Sequence, residues 1–185
     1  SRYAPEFVDI DNDGDLDVFY TNWDASQSYT TNNIRYFENT GNAYNPFFVE
    51  RFGLNNPVDT ITAIENIAFV DIDGDGDMDM FGSQLFYNPR EFYYYENTGT
   101  ASAAAYSLQT GTNNPLDSVI HHQNILEPTS PISNAMPSFV DIDNDGDQDC
   151  FIFYDYGYGN TVDKHVSYYE NTGSSTNPVF LKQSN

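Results

Sequence analysis

The chain has 185 residues, 39% of them hydrophobic and 16% aromatic, enough for one core or for a few small repeated units sharing one. Its 28 acids against 6 bases give a formal net charge of −22 at pH 7, which excludes a phosphate-reading nucleic-acid surface and disfavours an anionic membrane. No apolar run reaches the roughly 18 residues that signal a bilayer span, and the single cysteine, Cys150, excludes an intramolecular disulfide framework.

Opening at Ser1 with neither Met nor an apolar leader, the chain reads as a mature or excised piece of something longer. The first predicted strand covers about 5–10, carries Phe7-Val8 and enters the stretch DIDNDGDLD (9–17). A second strand, about 16–22, leaves that stretch. A third, about 33–38, ends on Tyr36-Phe37 and the turn Glu38-Asn39-Thr40-Gly41, and a fourth covers about 46–52. Gly41 is expected to supply the positive φ of a tight hairpin. The linker GLNNPVD (53–59) then leads to a second copy of the same order. Phe69-Val70 precedes DIDGDGDMD (71–79), Tyr94-Tyr95 precedes Glu96–Gly99, and an extended piece follows at Tyr106–Leu108. A related linker, GTNNPLD (111–117), opens a longer connection to the third copy. There Phe139-Val140 precedes DIDNDGDQD (141–149), Tyr168-Tyr169 precedes Glu170–Gly173, and Val179–Leu181 comes last.

The acidic stretches begin 62 and 70 residues apart, a period that belongs to stacked supersecondary units. The predicted boundaries are repeat 1 at 1–52, a linker at 53–66, repeat 2 at 67–110, a longer linker at 111–136 and repeat 3 at 137–185. Segments are short, aromatic and β-branched, with Gly, Asn, Pro and Asp between them, and none shows sustained helical periodicity. Each unit is therefore expected to be a four-stranded antiparallel meander.

Fifteen of the 28 acids lie in the three stretches; the other 158 residues carry a net charge of only −7. Two carboxylates a few ångströms apart repel by about 4 kcal/mol at an effective dielectric of about 20. Five in nine residues thus call for a cation. Short carboxylates at alternate positions, with glycine sixth, describe an oxygen cage for Ca²⁺ rather than for Mg²⁺, which keeps its waters. The expected ligands are Asp9, Asp11, Asp13, Asp15 (by its carbonyl) and Asp17, with equivalents Asp71, Asp73, Asp75, Asp77, Asp79 and Asp141, Asp143, Asp145, Asp147, Asp149. An EF-hand would need Glu at the twelfth position; Tyr20, Gly82 and Ile152 stand there. The bidentate ligand is then expected to be the ninth-position aspartate.

Asp-x-Asp-x-Asp-Gly-x-x-Asp between two strands, preceded by Phe-Val and followed by an aromatic pair and Glu-Asn-Thr-Gly, resembles the FG-GAP/VCBS repeats of bacterial surface proteins. Similar calcium loops occur in the integrin α-subunit propeller. The resemblance runs through nearly the whole chain, three times over. It implies an all-β fold of three tandem four-stranded antiparallel β-propeller-type blades, each with a Ca²⁺-binding loop between its first two strands, so about three Ca²⁺ per chain. It also implies an extracellular or cell-surface setting and no enzymatic activity. The number departs from the family, in which seven blades are usual.

No stretch matches Gly-x-Ser-x-Gly or His-Glu-x-x-His, and the close carboxylate pairs all lie inside the loops. His121 and His122 read as loop residues, His165 has no positional equivalent, and Cys150 reads as a small core residue. Tyr93, aligned with Arg35 and Ser167, marks an outward position where a ligand or partner surface is possible. Three blades leave two open end faces, since closed propellers need roughly four to eight. The sequence therefore predicts a calcium-stabilised extracellular structural component that self-associates through its end faces or joins further repeats. The alternative is an adhesion or carbohydrate-binding module, with glycan partners, excised from a larger seven-bladed propeller.

Overall fold

A computed structural model describes residues 5–21, 34–64, 66–83, 92–117, 119, 132–158 and 161–184. It contains three four-stranded antiparallel sheets, each a meander in chain order. The first comprises β1 (Pro5–Val8), β2 (Asp17–Thr21), β3 (Ile34–Asn39) and β4 (Phe48–Arg51). The second comprises β5 (Asn66–Val70), β6 (Asp79–Ser83), β7 (Phe92–Asn97) and β8 (Tyr106–Gln109). The third comprises β9 (Ile132–Val140), β10 (Asp149–Tyr158), β11 (Thr161–Asn171) and β12 (Phe180–Lys182). Among the described residues the sheets remain separate and do not join into a closed barrel.

The register is the same in all three. Val8 pairs with Asp17, Val70 with Asp79 and Val140 with Asp149, so each acidic stretch is the loop of a β1–β2-type hairpin. The strands are shorter than their predicted ranges where side chains compete for the ladder. The fourth starts at Phe48 and not at Pro46, because proline has no N–H to give and the Phe47 N–H donates to Asn39 Oδ1 at 2.8 Å. In the third sheet β9 starts at Ile132, inside the stretch read as linker 111–136. It does so because β10 and β11 are about twice the length of β6 and β7, and β9 pairs along that extension, Tyr156 opposite Ile132.

The sheets stack. One core lies between the first and second sheets, built on Phe19, Ile34 and Tyr36 from one side and Ile67 and Met80 from the other. The second lies between the second and third, where Phe81 and Tyr94 meet Cys150, Ile152 and Tyr169. Each linker closes the gap it crosses: Val58, Ile61 and Ile64 join the first core, Leu116 and Val119 the second. The shared linker pattern has a local cause. Asn56 and Asn114 are buried, and their Oδ1 atoms accept from the N–H of Val58 (3.1 Å) and Leu116 (3.0 Å), turning the chain inward.

Candidate metal centre

Each acidic loop is folded by its own carboxylates. Asp9 accepts from the backbone N–H groups of Asp13 and Gly14, both at 3.1 Å. Asp71 accepts from Gly74 (2.8 Å) and Gly76 (3.1 Å), and Asp141 from Asp145 and Gly146, both at 3.1 Å. The fifth-position aspartates Asp13, Asp75 and Asp145 accept from the residue two further on at 3.1, 3.0 and 3.1 Å. Glycine is needed at the sixth position because φ there is +94° at Gly14, +92° at Gly76 and +96° at Gly146.

This wrapping gathers carboxylates. Asp9, Asp11 and Asp13 offer ligand atoms that all lie within 4.8 Å of one another, and so do Asp71, Asp73, Asp75 and Asp141, Asp143, Asp145. The three triads can each hold a metal ion. The seventh-position aspartates add a second observation. Oδ1 of Asp15, Asp77 and Asp147 is buried with no hydrogen-bond partner, a costly arrangement unless another group meets it. An all-oxygen donor set with an orphaned buried carboxylate oxygen beside it fits a hard divalent cation.

The ninth-position aspartates are placed differently. Asp17, Asp79 and Asp149 are buried at the start of β2, β6 and β10, and they tie the loop to the turn after the third strand, at the same end of the sheet. Asp79 Oδ1 accepts from Asn97 N–H at 2.7 Å; Oδ2 accepts from the Tyr94 hydroxyl at 3.1 Å and Ile72 N–H at 3.4 Å. Asp17 receives the same from Asn39 (2.7 Å) and Tyr36 (3.2 Å), and Asp149 from Asn171 (2.8 Å) and Tyr168 (3.1 Å). Three of the four acceptor positions on such a carboxylate are thus filled by the protein, leaving less room for the expected bidentate contact. These residues anchor the loop whether or not they also touch an ion.

Sequence reasoning found the Glu-Asn-Thr-Gly turn but not this link, although Asp17 stands 19 and 22 residues before Tyr36 and Asn39, and Asp149 stands at the same spacings from Tyr168 and Asn171. The asparagine also shapes its own turn: Asn39 Oδ1 accepts from Gly41 and Phe47 N–H at 3.1 and 2.8 Å. The expected positive φ at Gly41 is not found. Gly41, Gly99 and Gly173 are glycine because a Cβ would lie 2.2–2.3 Å from the carbonyl oxygens of Asn45, Ala103 and Asn177.

Electrostatics follow from crowding. Burial, then the charges of Asp75 and Asp73, pushes Asp77 up to about 6. Asp17 is pushed up to about 6 and Asp79 to about 7, chiefly by burial, against hydrogen bonds from Asn39 and Asn97 that favour the charged form. Asp11, Asp73 and Asp143 are raised as well, by burial first and then by neighbouring carboxylates. Among the described residues the ion pairs go to Glu38, Glu50 and Asp155, and none reaches a loop carboxylate.

Arg35 and Tyr93, the candidate partner surface, are both half-buried on their strands. Arg35 is committed to an ion pair with Glu50 and lies 6.0 Å from the Phe52 ring centre. Tyr93 packs against the first core. Cys150 is fully buried, which pushes its thiol pKa up. His165 stacks on Tyr154 with ring centres 5.3 Å apart. His121 and His122 lie outside the described residues.

Comparison with known proteins adds one finding. Residues 6–82 match the family model of the FG-GAP-like repeat, a span from β1 into β6 that takes in the first two acidic loops. Repeats of this kind point to extracellular or surface proteins, and no helix among the described residues is long and apolar enough to cross a membrane. No curated protein and no solved structure gives a significant match.

Proposed function

We propose that the chain is a non-enzymatic, extracellular structural repeat protein whose three sheets are propeller-type blades, each stabilised by one Ca²⁺ in its acidic loop. The observation that carries this reading is the threefold recurrence of a carboxylate triad beside a buried, unpartnered aspartate oxygen. Asp9, Asp11 and Asp13 would hold the ion in the first loop, with Asp15 supplying a further oxygen, and the equivalents would do so in the others. When bound, the ion supplies positive charge; three would bring the formal charge from −22 to −16. The ninth-position aspartate would pass that stabilisation to β3 through its asparagine and tyrosine partners, so that loop and turn stiffen together. A self-assembling role fits the same reading, because the outer faces of the first and third sheets carry exposed apolar side chains, Phe7 and Val166 among them.

The test is calcium content and calorimetry. Ions in extracellular modules bind at roughly 10⁻⁴ to 10⁻³ M, and an ion at about ten times its Kd adds about 1.4 kcal/mol per site. Binding of about three Ca²⁺ per chain, with a melting temperature that rises in calcium and falls on chelation, is expected. No calcium by elemental analysis and a melt unchanged by chelator would remove the proposal. A magnesium arm separates the ions: equal stabilisation by Mg²⁺ at the same concentration would speak against a calcium cage.

A further inference from the structure

Within the chain the same contact between sheets occurs twice. Phe69 of β5 meets Phe19 of β2 with ring centres 4.8 Å apart, and Phe139 of β9 meets Phe81 of β6 at the same 4.8 Å. Each receiving phenylalanine is fully buried and stacked on a tyrosine of the next strand, Phe19 on Tyr36 (4.5 Å) and Phe81 on Tyr94 (4.8 Å). The contact is polar in direction: the first strand of one sheet sits against the first and second strands of the sheet before it. It is therefore heterologous, and at the two ends of the stack each half is left without its mate among the described residues.

The third sheet carries the aromatic pair of the receiving half. Phe151 stacks on Tyr168 at 4.9 Å, reproducing the two internal pairs, yet both side chains are only half-buried. Around them Ile142 is 55% exposed, where its equivalents Ile10 and Ile72 are 4% and 2% exposed. Val140 and Val166 are exposed too, although Val8, Val70, Ile34 and Phe92 at the same places are buried. On the first sheet the inserting half is complete. Phe7 is 58% exposed, and with Leu16, Pro46 and Phe48 it lines a hollow of about 300 Å³; the equivalents Phe69, Met78 and Tyr106 pack on the first core.

Resting on the reading of the chain as an assembling component, we propose that these two faces mate between copies. Phe7 of one copy sits on Phe151 of the next in the register that Phe69 and Phe139 already use. The occupant is a second copy of this chain because its first sheet carries the one described surface built like the β5 and β9 faces that cover Phe19 and Phe81. A contact of this kind repeats head to tail, running on as a fibre or closing as a ring.

The test uses the whole chain in calcium, with two single variants and sedimentation velocity. Phe151→Glu places a charge on the receiving face and Phe7→Glu on the inserting face. The wild type is expected to associate as its concentration rises, and each variant alone to stay at the chain mass of 20.9 kDa. An equimolar mixture of the two variants is expected to give a 1:1 complex and nothing larger, since each retains the half that the other lacks. Val166→Lys, at an exposed site, repeats the receiving-face test in case Phe151→Glu does not fold, and unchanged calcium-dependent melting verifies each fold. A wild type that stays at 20.9 kDa at every concentration overturns the proposal. So does association that survives both variants, or a mixture that fails to pair. The melts keep the two readings apart: a monomer still stabilised by calcium removes the mating of the faces and leaves the calcium site standing.

Discussion

Phe81 and Phe151 occupy the same place in the repeat, just after the ninth-position aspartate, and each stacks on the tyrosine opposite. Phe81 is fully buried and Phe151 is not. The difference lies in neighbours and not in sequence. Every residue of β6 is buried because the middle sheet is covered on both faces, whereas β2 alternates between buried and half-buried residues. A repeat unit specifies its strands, its loop and which side chains share a face; the next unit decides what that face is worth. This is the energetic logic of a stacked array, in which stability is a sum of local terms and interface terms.

The largest expected effect separates those two terms. Truncating a fully buried phenylalanine costs about 3–5 kcal/mol, from lost transfer energy and the cavity left behind. Phe81→Ala should fall in that range in urea unfolding of the calcium-loaded chain. Phe151→Ala, measured at a concentration where the chain is monomeric, should cost about 1 kcal/mol, because its area is only partly withdrawn from water. Equal costs would mean that the outer face is covered after all.

A smaller effect should ignore position in the stack. Asn97 and Asn171 each accept two backbone N–H groups inside their own turn, at 3.1 and 2.9 Å in both cases. Replacing either by Ala leaves those donors unpaired and should cost about 1–2 kcal/mol. The two costs should agree, since nothing from a neighbouring sheet takes part in these bonds. If Asn97→Ala proved much the more damaging, turn and interface would be coupled and the separation of terms would fail.

Legibility in the sequence follows the same division. The three loops, the strands around them and the meander order were readable because they rest on contacts between residues close in the chain, and Asp9 to Asp17 show every repeating position in nine residues. The triad was readable for that reason too, since Asp9, Asp11 and Asp13 fold around their own backbone. The role of Asp17 was not, because its partners Tyr36 and Asn39 come from the next strand, 19 and 22 residues on, across a stretch with no motif of its own. Gly41 was placed in a turn correctly but for the wrong reason: backbone crowding by Asn45, not φ, excludes a side chain, and a one-letter pattern does not distinguish the two. The long β10–β11 pair was missed because residues 153–166 extend the strands beyond the length seen in the other units.

The smallest expected effect concerns the one place where the sheets solve the same problem with different chemistry. The glutamate of each Glu-Asn-Thr-Gly turn reaches across to the fourth strand or just past it. Glu96 accepts from Gln109 Nε2 at 2.6 Å and Glu170 from Gln183 Nε2 at 2.6 Å, while Glu38 takes a forked pair of bonds from Arg51 at 2.7 and 2.9 Å. The fork raises the Arg51 pKa, chiefly through the hydrogen bond to Glu38. Both side chains are about 30% exposed, so solvent screens the pair, and pairs of this kind contribute about 0.2–1 kcal/mol. Arg51→Gln installs the solution that the other two sheets use, keeps one donor on Glu38 and gives up one charge. Its cost should stay under about 0.5 kcal/mol and shrink further as salt rises, because only the ionic part is screened. The reverse exchange, Gln109→Arg, should be equally mild if the cross-strand contact is local to each sheet. A loss from Arg51→Gln well above that figure, and insensitive to salt, would show that the arginine holds something beyond Glu38. Its stem and the neighbouring Phe52 would then be the place to look, since Phe52 already lies beneath the guanidinium of Arg35.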